Sequence, residues 1–170
     1  MTTDDARRIA QDFLDRQGEV TMNGDVDATL EWCDLPCTLE TVEQRVVVTT
    51  EAHMRAVCAA FIETLRTKRL TYMIRRCLDA KFRDDETLWV SYETRYVRDR
   101  AILADESYLG FVILRHRGDR WKISTMQFAA DGSSPSNVAL NKSASKARGT
   151  EAGTVAPTED SDKKPVVPTI

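Results

Sequence analysis

Residues 70–128 read LTYMIRRCLDAKFRDDETLWVSYETRYVRDRAILADESYLGFVILRHRGDRWKISTMQF, a succession of long strands broken only by short turns. Leu70, Tyr72, Ile74, Leu78, Ala80 and Phe82 alternate along the first, with Arg76 interrupting their face. Period-two alternation of this length marks strands with one face on a core. Asp84-Asp85 supplies a hairpin turn, and the next strand, Thr87 to Arg98, sets Leu88, Val90, Tyr92, Thr94 and Tyr96 against Trp89, Ser91, Glu93, Arg95 and Val97. A third, Glu106 to Arg117, is apolar on both faces from Tyr108 to Leu114 apart from Gly110, and Gly118-Asp119 turns it into a fourth, Arg120 to Phe128. A strand apolar on both faces needs cover on both.

Upstream, the period changes to that of helices. Thr3 is placed to cap a first helix with Asp4 and Asp5 at its positive end, and Ala6, Ile9, Ala10, Phe13 and Val20 form its buried stripe. Gln17 falls on that stripe, where a polar group must find a partner or face a wet pocket. Asn23-Gly24 ends the helix, and Asp25 caps a second, short one that Pro36 closes off. Short strands follow at Cys37 to Thr41 and Arg45 to Val48. Thr50 then caps a third helix in which Met54, Val57, Cys58, Phe61, Ile62 and Leu65 recur at helical spacing. Helices followed by an antiparallel meander predict an α+β fold: three N-terminal helices packed on a strongly curved antiparallel β-sheet, with a pocket between the layers.

After Phe128 there is no further Phe, Trp, Tyr or Cys, and from Asp131 the chain turns to Ser, Ala, Thr, Pro and scattered charge. Such composition cannot bury enough apolar surface to offset ordering entropy. The expectation is one domain over residues 1–130 and a disordered low-complexity tail over 131–170, with a short-lived helix between Asn137 and Ala147 as the alternative. The formal charge of −3 has both signs interspersed, which points away from nucleic acid. No stretch is apolar enough to span a bilayer or act as a leader, so a soluble, cytoplasmic protein without membrane contact is expected. Cys33, Cys37, Cys58 and Cys77 sit among aliphatic residues, and no second Cys/His pair joins Cys33 and Cys37 to complete a metal site. No glycine-rich phosphate loop, nucleophile elbow or zinc-protease motif occurs, and no cofactor is expected.

The helix, the Gly24-Asp25 turn, the short helix, the strand around Thr38-Leu39-Glu40, the long helix and the closing strand with Trp121 together resemble the NTF2-like (SnoaL-like) superfamily over about residues 4 to 128. That resemblance implies a cone-shaped fold. It spans isomerases, dehydratases, cyclases and binding or scaffold domains, so it assigns no activity. Anchored on Gly24-Asp25, the oxyanion-hole tyrosine of the ketosteroid isomerases falls on Gln17 and their general-base aspartate on Thr41. Gln17 donates a hydrogen bond but is not an acid, and Thr41 is no base near neutral pH. This weighs against isomerase chemistry unless the register slips and Glu40 takes over.

The candidate site residues follow. Glu40 and His53 are the candidate catalytic bases, His53 because a helix N-terminus favours the neutral imidazole. Gln17, Arg76, Tyr72, Tyr92 and Tyr96 are the candidate ligand-binding residues, with Arg76 suited to a carboxylate and the phenols to a carbonyl. Arg76 has the simpler alternative of pairing with Glu40 or Glu93. Three functions remain open: a binding module for a small hydrophobic or carboxylated ligand, a cofactor-free lyase, isomerase or cyclase, and a protein-interaction domain. The doubly apolar strand also predicts a homodimer through the outer face of the sheet.

Overall fold

The computed structural model describes residues 2–130 and 132–151. Helices α1 (Thr3–Met22) and α2 (Val26–Leu30) lead into strands β1 (Cys33–Thr41) and β2 (Arg45–Val48). Helix α3 (Glu51–Thr67) precedes the meander β3 (Leu70–Asp84), β4 (Thr87–Arg98), β5 (Ile102–Arg117) and β6 (Arg120–Ala129), and helix α4 (Pro135–Glu151) follows it. The six strands form one curved, open sheet in the order β2-β1-β6-β5-β4-β3. All neighbours are antiparallel except β1 and β6, which run parallel.

Local chemistry accounts for the helix starts. Thr2, one residue before the expected cap, opens α1 in a reciprocal box with Asp5, while Asp25 and Thr50 cap α2 and α3 as expected. Ala6 and Ala10 are fully buried on α1, and their small side chains let that helix lie close against β3. The main core joins Phe13 and Leu14 to Val90, Val112, Leu114 and Ile123, between the helices and the concave face.

The expected alternation of β3 holds at its two ends and inverts between them. The register with β4 shifts between Leu70 and Tyr72 and again between Cys77 and Asp79. Each bulge inserts one residue and reverses which side chains face inward. Leu70, Ala80 and Phe82 therefore join the core, but between the bulges Met73, Arg75 and Cys77 point in. Tyr72 and Ile74, each 53% exposed, and Arg76 point out.

The expectation of a disordered tail from residue 131 does not hold for α4. Ser134 begins this helix, its hydroxyl accepting from the Asn137 amide at 3.3 Å, and Pro135 occupies the first turn, where a missing N–H costs nothing. Ser136, Asn137, Ala139, Leu140 and Ser143 are buried, and the helix packs on α3. Small side chains let it lie flat, and the Asn137 side-chain Nδ2 donates to the Ala130 carbonyl at 3.4 Å. Gln44 in the β1–β2 turn donates to Asn141 at 2.9 Å. Residues 152–170 of the expected tail lie outside the described residues.

Candidate functional site

Helices α1, α3 and α4 and the concave face of the sheet line a partly open cavity of about 90 Å³. A single water needs only ~10–15 Å³ on this measure, so the space suits a small molecule. Most of its wall is apolar, with Leu39, Met126 and Phe128 from the sheet, Val57 and Phe61 from α3 and Leu140 from α4. Polar groups gather at the end between α1 and strands β3–β5: Gln17, Arg75, Thr94, Tyr96 and Tyr108, with Tyr92 beside them.

Arg75 is the one charged residue in the described lining and is only 8% exposed. Its Nη2 donates to the Gln17 Oε1 at 2.7 Å and to the Leu14 carbonyl. Its Nε is sealed from solvent and has no acceptor. No described Asp or Glu forms an ion pair with it. Burial lowers its pKa, but an arginine stays charged in a protein. The site thus holds a buried positive charge with no direct ion-pair partner among the described residues, which is costly in a low-dielectric interior.

Several residues shape that seat. A Cβ on Gly18 would lie 3.0 Å from the Arg75 Nη2, so this glycine in the middle of α1 opens room for the guanidinium. Gln17 is held by its own Nε2, which donates to the Thr21 hydroxyl at 3.0 Å. The Tyr96 and Tyr108 hydroxyls are 3.1 Å apart, and burial raises the pKa of Tyr92, Tyr96 and Tyr108, keeping all three phenols protonated. The opposite end of the cavity carries Cys33, Cys37 and Cys58. Burial pushes the Cys37 thiol up to about 12, so it is no nucleophile near neutral pH.

Of the residues singled out from the sequence, the cavity brings together Gln17, Tyr92 and Tyr96. It leaves out Arg76 and Tyr72, which the bulges turn to the convex face, where Arg76 pairs with Glu93 at 3.1 Å. Glu40 also points away: it sits opposite Gln127 in the β1–β6 register and accepts from that amide at 3.1 Å, while its neighbour Leu39 lines the cavity. His53 is half-buried in the first turn of α3, outside the lining. Arg75, Thr94 and Tyr108 were missed. Their signal was weak but present, since Met73 and Cys77 flank Arg75 at two-residue spacing and give the second face of β3 its own apolar pattern.

Among the described residues no group of three or more acidic, His or Cys side chains gathers as a metal site. No described helix is long and apolar enough to cross a membrane.

This architecture is that of the NTF2-like proteins. An NTF2-like protein of unknown function from Shewanella oneidensis superposes with a TM-score of 0.56 at 16% identity, covering 70% of this chain and 94% of its own. A domain of unknown function with a cystatin-like fold from Nostoc punctiforme gives 0.57 at 10% identity over 89% of this chain and 96% of its own. A variant of a function-unknown protein from Mycobacterium tuberculosis gives 0.56 at 10% identity over 82% and 86%. At such identities the likeness establishes the fold alone. No protein-family model and no curated protein matches the chain.

Proposed function

We propose that this chain is a small-ligand-binding NTF2-like domain whose cavity accepts a hydrophobic or carboxylated compound. The observation that carries this reading is the partly open, mostly apolar cavity of about 90 Å³ with one buried guanidinium, lacking an ion-pair partner among the described residues, at its polar end. Concave, largely apolar sites with a few convergent polar groups are the usual form of small-molecule pockets. A cofactor-free lyase, isomerase or cyclase has less support. Its chemistry needs a proton acceptor facing the substrate, and the described lining contains no carboxylate and no histidine. Glu40 or His53 would have to act from outside it.

The convex face supports a homodimer as the quaternary state. Leu109 is 57% exposed, Ile74 53% and Trp89 41%, and they share this face with the half-buried Phe111 and Ile113. Arg76, Arg95 and Glu93 lie among them, so opposite charges are available to a copy related by a two-fold axis. The four free thiols suit a reducing cytoplasm.

Native mass spectrometry of the freshly purified full chain tests both proposals. The expected result is twice the chain mass plus a small compound that denaturation releases, and Leu109→Glu should halve the mass while the compound stays bound. A monomer that carries nothing would count against both the dimer and the pocket.

A further inference from the structure

We propose that the occupant is a small monocarboxylate, held with its carboxylate on Arg75 and its apolar body toward β1, α3 and α4. This rests on the ligand-binding reading and narrows it to one chemical class. Three features select that class.

The first is charge. Arg75 is the only charged group in the described lining, so one negative charge balances the site. A neutral ligand leaves the cation uncompensated. A dianion such as phosphate buries an excess negative charge, which is equally costly.

The second is unmet hydrogen-bonding capacity. A guanidinium carries five N–H donors, and the recorded bonds of Arg75 use only Nη2. Nε is buried without an acceptor. A planar carboxylate accepts from two guanidinium nitrogens at once, which few other small anions match in geometry. Gln17 Oε1 contributes one neutral oxygen to the guanidinium, accepting from Nη2. The Tyr96–Tyr108 hydroxyl pair at the same end uses one proton between its two oxygens and has one left to donate to a carboxylate lone pair that Arg75 leaves free.

The third is the wall. Beyond these groups the cavity is bounded mainly by Leu39, Val57, Phe61, Met126, Phe128 and Leu140, which reward an aliphatic or aryl body, while the buried Ser136 hydroxyl on α4 leaves room for at most one small polar substituent.

The test is isothermal titration of the full chain with butyrate and benzoate, each beside its neutral amide, and with inorganic phosphate. At least one carboxylate is expected to bind about ten- to a hundredfold more tightly than its own amide, the range of a charge-assisted hydrogen bond. Phosphate should bind weakly or not at all, and Arg75→Met should abolish the carboxylate preference. Because the wild-type comparison needs no variant, it decides the matter even if a substitution harms folding. Amides binding as well as the carboxylates would overturn the monocarboxylate assignment and leave the ligand-binding reading standing. Phosphate binding as tightly as the carboxylates would overturn it too. If no carboxylate or amide binds, and toluene does not bind either, the assignment and the reading of the cavity as a ligand site fall together.

Discussion

Arg75→Met is expected to fold, to melt at a higher temperature than the wild type, and to lose its ligand. The guanidinium is buried, its Nε lacks an acceptor and it forms no ion pair with a described carboxylate, Asp15 acting on it only at longer range. Replacing buried ionic groups with well-packed apolar side chains of similar volume is often neutral or stabilising, by up to about 1–4 kcal/mol where whole pairs are replaced, and a single arginine should fall at the low end, about 1–2 kcal/mol. For a chain of this size that is a rise of roughly 2–8 °C. Its two recorded acceptors tolerate the loss. The Leu14 carbonyl sits inside α1, where the helix ladder already serves it, and Gln17 keeps its bond to Thr21. Thermal denaturation with and without added carboxylate measures both effects. A residue kept for binding costs stability in the empty protein. If Arg75 instead held α1 to the sheet, the same substitution would lower the melting temperature.

Gly110→Ala should be strongly destabilising although it adds a single methyl group. A Cβ there would lie 2.3 Å from Cζ and 2.6 Å from the hydroxyl oxygen of Tyr92, whose ring crosses the glycine on the neighbouring strand. Tyr92 is 1% exposed and cannot swing into solvent. The ring must leave its place in the core and enter the cavity. Overpacking of this kind costs about 3 kcal/mol, which predicts a fall of roughly 6–12 °C in melting temperature, and the displaced ring should weaken ligand binding as well. Tyr92→Leu should relieve much of the effect, so the double variant should be markedly less damaged than the sum of the two singles. Additive losses would show that the ring and the glycine do not share the space.

The residues that spoke through period and capping gave their elements plainly. The bounds of β4 follow from strict alternation between two turns, and α3 begins where Thr50 can cap it. Gly110 stood out as the break in an otherwise apolar strand, but the tyrosine that requires it sits on β4 and meets it only through register. The site was half legible for a similar reason. Gln17, Tyr92 and Tyr96 were found because their strand or helix keeps one period throughout. Arg75 was missed because two bulges in β3 exchange its faces, and a bulge is set by pairing with β4 rather than by local sequence. Helix α4 was read as tail because Ser, Ala and Asn carry little hydrophobic signal. Its burial comes from close approach to α3, a tertiary gain that composition does not record.

A crystal structure of the full chain grown with benzoate or butyrate would show whether Arg75 anchors an anion inside this cavity. The expected result is a carboxylate within hydrogen-bond distance of the Arg75 guanidinium, Gln17 Oε1 displaced from it, and the apolar end against Phe128 and Leu140. A cavity that stays empty under saturating carboxylate, or a ligand whose polar end points away from Arg75, would contradict it.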